Sequence, residues 1–282
     1  MKIQRLLGWF CLWLLISNIA VSQGLYLKAG AGYNLGLPKV GIDYKTTYND
    51  NSTSSPSYTT YTEEGVYDSF GRGVGLDAAL GYKGDVFGLE VGIQYQPTNS
   101  IEVTSVSNYY STSSTSLYTN TDTYKSSMLA ISPCFVFKTD IGFYGRAGVV
   151  LGFPKLSEEY KSESSGSSSG TTESTYEYTG NMALGYTGAI GIAVGGGGFK
   201  VYVEASFVSL TWAPTKREET VYKVNGVDQL SSLSTSDKIT RFEDSYTRDT
   251  RVTTDPNQES VSLKSYAPFS SVGLKAGITI GF

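Results

Sequence analysis

Six charged side chains set the chemistry this sequence could do. They are Lys28, Arg146 and Lys275, and Asp77, Glu90 and Glu204. Each falls on the polar, glycine-bearing face of a segment whose alternate residues are apolar. Three cations meet three carboxylates. Charges removed from water must be paired to be tolerated, so the set is expected to form a salt-bridged polar network. The sharper alternative is a gated ion path in which the same pairs exchange partners.

Other chemistries are poorly provided for. The 282 residues include no histidine, so no Ser-His-Asp constellation can be assembled. Outside a leader expected at the N-terminus, Cys134 is the one remaining cysteine, which leaves zinc without a ligand set and rules out an intramolecular disulfide. The adjacent acids Glu63-Glu64, Glu158-Glu159 and Glu218-Glu219 read as solvated surface. No twelve-residue calcium loop is present. Gly30-Ala-Gly32 and Gly195 to Gly198 lack the Lys-Ser/Thr and the helix that a phosphate loop needs. Asn51-Ser-Thr53 matches a glycosylation sequon. The expectation is therefore no catalytic residue, no metal and no cofactor. A formal charge of -4 argues against a nucleic-acid partner, which calls for a basic face.

The elements that must position the six charges are strands. Period-two alternation of apolar and polar residues marks a strand with two unlike faces. Eight segments show it. Leu25, Leu27, Ala29, Ala31, Tyr33 and Leu35 share one face of the first, with Lys28, Gly30, Gly32 and Asn34 on the other. The second places Val74, Leu76, Ala78, Leu80 and Tyr82 opposite Gly75, Asp77 and Gly81. The third runs Phe87, Leu89, Val91, Ile93 and Tyr95 against Gly88, Glu90, Gly92 and Gln94. Leu129, Ile131, Phe135 and Phe137 mark the fourth, where Pro133 signals a bulge or an edge. Phe143 to Phe153 forms the fifth, with Tyr144, Arg146 and Gly148 inward. Leu184 to Val194 is the sixth. Phe199 to Phe207 is the seventh, with Tyr202, Glu204 and Ser206 inward. Val272 to Phe282 is the eighth. With the apolar faces outward, this is an all-β, eight-stranded antiparallel transmembrane β-barrel, narrow enough for side chains to fill.

The connections alternate in length. Lys83-Gly84-Asp85, Thr139-Asp140 and Gly195 to Gly198 are tight turns. The long segments cover about 37–71, 97–127, 154–181 and 213–268, and they are expected on the cell surface as ribbons with mobile tips. Their Ser, Thr, Tyr, Gly and acidic residues favour no packed core of their own. Asn225-Gly226 signals a hairpin in the last of them. A ten-stranded ring is the alternative reading there.

The two ends agree with a membrane location. Lys2 and Arg5, the apolar run Leu6 to Ile16 and Ala20-Val-Ser22 read as a signal peptide over 1–22, leaving 23–282 as the barrel. Cys11 stands in mid-run, not in a lipoprotein cleavage motif. At the other end Leu274, Ile278, Ile280 and the terminal Phe282 share one apolar face. That ending resembles the insertion signal of bacterial outer-membrane barrels.

The alternating strands, the Phe282 ending and the loop pattern resemble the small OmpA/OmpX-like outer-membrane β-barrel superfamily. Phe143-Tyr-Gly-Arg-Ala-Gly148 and Val201-Tyr-Val-Glu-Ala205 are similar to strands of its Bacteroidetes members. The resemblance covers nearly all of 23–282 and is specific for architecture. It implies a monomer in the cell outer membrane with both termini periplasmic, outer-membrane lipid around it, and the barrel-assembly machinery as its partner during insertion. The periplasmic peptidoglycan-binding domain of OmpA itself has no counterpart here, so its cell-wall tether is not implied.

The tyrosines and phenylalanines divide into two groups. Tyr33, Tyr82, Phe87, Tyr95, Phe137, Phe143, Phe153 and Phe199 are expected in aromatic girdles at the membrane interfaces, with Tyr186 and Phe282. Loop tyrosines such as Tyr48, Tyr109, Tyr118, Tyr176 and Tyr178 suit either cross-strand pairing or an adaptable contact surface. The expected function is non-enzymatic: envelope structure or surface interaction through these loops, with a partner the residues do not name. The alternatives are a narrow porin-like channel for ions or small solutes, and an accessory subunit of a larger outer-membrane complex.

Overall fold

A computed structural model describes residues 24–37, 40–51, 58–84, 86–110, 115–166, 169–196, 198–246 and 255–282. The expected leader over 1–22, Cys11 and the four loop tips lie outside the described residues. Strands β1 (Leu25–Gly36), β2 (Val40–Asn51), β3 (Tyr58–Asp68), β4 (Gly73–Lys83) and β5 (Phe87–Tyr110) come first. They are followed by β6 (Thr115–Lys138), β7 (Phe143–Gly166), β8 (Gly170–Thr179), β9 (Ala183–Gly196) and β10 (Phe199–Ser209). The remainder are β11 (Thr211–Trp212), β12 (Lys216–Val224), β13 (Val227–Asp228), β14 (Ile239–Glu243), β15 (Ser260–Leu263), β16 (Ala267–Pro268) and β17 (Ser271–Gly281). A 3-10 turn at Leu230–Ser232 and one helical turn at Thr235–Lys238 are the helical pieces among the described residues.

The protein is all-β, and its strands close into a ring. Antiparallel pairing runs β1 to β4, β5, β6, β7, β9, β10 and β17. β17 then returns to β1, with Tyr26 opposite Gly281 and Gly36 opposite Ser271. Closure leaves these strands no open edge. The alternation of the sequence becomes an alternation of environment. β10 is buried at every second residue from Tyr202 to Val208 and exposed between, and β1 and β4 repeat the pattern. The Lys83–Phe87, Lys138–Phe143 and Gly196–Phe199 connections are short. The middle one closes with the Thr139 N–H donating to the Phe143 carbonyl and needs the left-handed backbone of Gly142.

Above the ring the strands continue. β5, β6 and β7 each have 24 residues, about 80 Å at the usual rise per residue. Their upper halves form an open sheet. β2 adds to β5 in parallel and β3 pairs with β2. On the other side β8 pairs with β7, then β12, β14 and β15 follow. The expected separate ribbons are thus one joined sheet. The boundary falls at a register shift between Gln96 and Asn99, where Pro97 cannot donate to the ladder. Pro133 acts similarly: pairing of β6 with β7 skips it between Ile131↔Leu151 and Cys134↔Gly148, yet the register is kept. The Asn225-Gly226 turn forms, with both residues at positive φ, but β13 is two residues long, and β12 belongs to the upper sheet, where it pairs with β8.

One expectation is corrected. The connecting segments do contribute a packed core. Phe70, Leu210, Trp212, Ala267 and Phe269 come from the long connections and from the short strands at the ring's mouth. They pack against Ile101, Met128, Ala130, Val150, Leu156, Ala183 and Val208 from the strands. Leu210 and Trp212 continue the inward parity of Val208 beyond β10, whereas Phe70, Ala267 and Phe269 stand in segments with no period to mark them. Only closure of the ring brings them together.

Candidate functional site

The inward rows of the ring carry all six charges picked out above. Glu204 sits on β10 and receives Lys28 Nζ of β1 at 2.6 Å and Arg146 of β7 at 2.8 Å. Arg146 also reaches Glu90 of β5 at 3.4 Å. Lys275 Nζ of β17 lies 3.7 Å from Asp77 of β4 and 3.4 Å from Gln94 of β5. Every one of these ion-pair side chains is less than a tenth exposed. Parity explains the convergence. Each residue occupies an inward position on its strand, and the antiparallel registers place Glu204 opposite Lys275.

Three tyrosines complete the layer. The Tyr26 hydroxyl donates to Glu90 at 2.9 Å, Tyr144 to Glu204 at 2.8 Å and Tyr202 to Asp77 at 3.1 Å. Lys28 Nζ also stands 4.3 Å from the Tyr202 ring centroid, within cation–π range. Tyr144 and Tyr202 were readable as inward, but their partners were not. Tyr26 lies one inward position before Lys28, where the inward face of the first strand begins in the sequence reading. Its signal is parity, two residues before Lys28. Glycine makes the space. A Cβ at Gly30 would meet the Tyr202 hydroxyl, and one at Gly81 would meet the Tyr26 ring.

Such an arrangement holds charge in place. Glu204 is served by two cations and a phenol, and Glu90 by one of each. The cavity beside Asp77, Glu90, Ser132, Arg146 and Lys275 is about 10 Å³, which is borderline for a single water. Above the polar layer the apolar core closes the ring. Phe269 is fully buried and packs on Phe70 with ring centroids 5.6 Å apart. The plug is tied in by the Trp212 indole N–H donating to Asn181 O, the Ser69 hydroxyl donating to Ser270 O, and the Gln96 amide donating to the carbonyls of Phe70 and Arg72.

The outside of the ring is apolar. Tyr82, Phe87, Phe137, Phe143 and Phe199 are exposed near the short connections, and Tyr33, Tyr95 and Phe153 are exposed near the long ones. Leu274, Ile278, Ile280 and Phe282 are exposed on the same outer face of β17 and just beyond it. In the upper sheet the Tyr109 ring lies between Tyr48, tilted at 5.0 Å, and Tyr118, edge-on at 5.5 Å. Tyr178 donates to Glu158 and lies parallel to Phe242. These are cross-strand pairs of the kind that stabilise sheets. The side chains of Tyr44, Tyr58, Tyr61 and Tyr110 lie outside the described residues. No group of three or more potential metal-ligating side chains occurs among the described residues. Comparison with known protein families, curated proteins and solved structures gave no match.

Proposed function

We propose that this chain is a non-enzymatic, eight-stranded outer-membrane β-barrel of the OmpA/OmpX-like kind, sealed inside and working through its upper sheet. The observation that carries the reading is the inversion of polarity: salt-bridged charges fill the ring while its outer face is a belt of Leu, Val, Ile and aromatic side chains. A soluble protein would expose a patch of that size only for a partner. Phe143 and Phe153 are ten residues apart on β7. At the usual rise and tilt this gives an apolar band about 25 Å tall, the height of a bacterial outer-membrane belt. Within the band the strands pair with both neighbours around the ring, with one skipped step between β6 and β7 at Pro133, which suits a bilayer's demand for internal backbone pairing.

The role follows from what is sealed and what is presented. The small space beside the polar layer and the buried apolar cluster above it weigh against the porin-like channel. The tall upper sheet, with its Tyr, Ser and Thr surface, is the element available for envelope structure or surface contact. The test is substituted-cysteine labelling in proteoliposomes, in a Cys134→Ser background. Cysteines at Val91, Val203 and Leu274 should react with a membrane-confined reagent and resist an aqueous one, whereas cysteines at Glu163 and Lys223 should do the opposite. Aqueous labelling of the belt positions would refute the membrane assignment.

A further inference from the structure

The inward row nearest the short connections carries three further lysines: Lys83 on β4, Lys138 on β6 and Lys200 on β10. Each lies two residues along its strand from a buried inward position: Gly81, Val136 and Tyr202. Together they line one open cavity of about 230 Å³, with Lys28 and Glu90 of the polar layer deeper in. The six charges of that layer are ion-paired with one another. These three are not: among the described residues none of them has an ion-pair partner. Asp140 stands on the rim without pairing to them. Lys138 Nζ rests 4.2 Å from the centroid of the Tyr26 ring, which is itself bonded to Glu90.

Three like charges brought to one concave mouth repel each other, and such a cleft concentrates counter-ions. Lysine is a compact point charge with three donors and is well suited to phosphate oxygens. We infer that this mouth is a binding site for a compact oxyanion of the phosphate class, held by Lys83, Lys138 and Lys200. The lysines face the interior of the ring, away from the apolar belt, which favours an ion free in solution over a headgroup seated in the surrounding leaflet. The lysine-lined mouth is a feature of the ring, while the choice between a free ion and a headgroup rests on the membrane reading above.

The experiment is calorimetric titration of the folded, purified protein with pyrophosphate at low ionic strength in zwitterionic micelles. Saturable binding of one pyrophosphate is expected. The double variant K138Q/K200Q should weaken it about tenfold or more. The control pair K161Q/K223Q, which changes net charge equally on the upper sheet, should leave it unchanged. Repeating the titration in discs of zwitterionic and of anionic phospholipid separates the sources. Competition by anionic lipid would assign the site to a headgroup, and undiminished binding would assign it to a free ion; both support an oxyanion site. Absence of saturable binding, or equal weakening by both variant pairs, would overturn it.

Discussion

The lower and upper halves of the ring's interior fill similar spaces with opposite chemistry. Below, six charges and three phenols are matched one against another. Above, Phe70, Trp212 and Phe269 close the space with apolar volume. The polar layer is specified by identity, because removing one member strands its partners in a place water does not reach. The plug is specified by volume, because any apolar group of similar size restores most of the contacts. One half should therefore fail on conservative changes that the other tolerates.

The largest effect is expected from Arg146→Ala, which leaves Glu90 with a phenol alone and takes one of two cations from Glu204. It should cost about 4 kcal/mol in urea unfolding. Arg146→Lys should recover little of that, since a single ammonium cannot span both carboxylates as the guanidinium fork does. Recovery to within experimental error would show that charge alone matters. Next is Phe269→Ala, expected to cost about 3 kcal/mol by leaving a cavity, while Phe269→Leu should cost less than about 1.5 kcal/mol. Equal losses for the two would erase the proposed distinction between halves. Gly30→Ala should follow at about 2 kcal/mol, through displacement of Tyr202 from Asp77, and Tyr202→Phe should remove part of that penalty.

The smallest effect concerns the upper sheet. Burial pushes the Glu219 carboxyl up, against the lowering influence of Ser174 and Arg217. The folded protein therefore holds this proton more tightly than the unfolded chain. Stability from this group is greatest below the unfolded pKa and falls as pH rises through the raised folded value. Glu219→Gln should flatten that slope in hydrogen exchange of β8 and β12. An unchanged slope would place the pH dependence elsewhere.

The lower half was far more legible in the sequence than the upper. Lys28, Asp77, Glu90, Arg146, Glu204 and Lys275 announce themselves because each falls on the polar face of a period-two pattern flanked by apolar residues, and parity alone sends them inward. Tyr26, Lys83, Lys138 and Lys200 obey the same parity. They lie at strand ends, where the alternation lacks flanking residues to define it, and Lys83 reads there as part of a tight turn. The plug carries a weaker signal: Trp212 continues the inward parity of Val208 and Leu210 past the end of β10, whereas Phe70 and Phe269 are isolated aromatics gathered by ring closure and by the hydrogen bonds of Ser69, Gln96 and Ser270. The joining of the upper ribbons into one sheet is not legible because its pairs, β2 with β5 and β8 with β12, link residues far apart in the chain, such as Thr47 with Val106 and Val224 with Thr172.

The most direct measurement is single-channel recording of the reconstituted protein in a planar bilayer, with insertion verified by the pattern of cysteine labelling. A matched polar layer beneath an apolar plug predicts no stepwise current above the bare membrane. A reproducible unitary conductance from correctly inserted wild-type protein would contradict the sealed interior and return the charged layer to the role of an ion path.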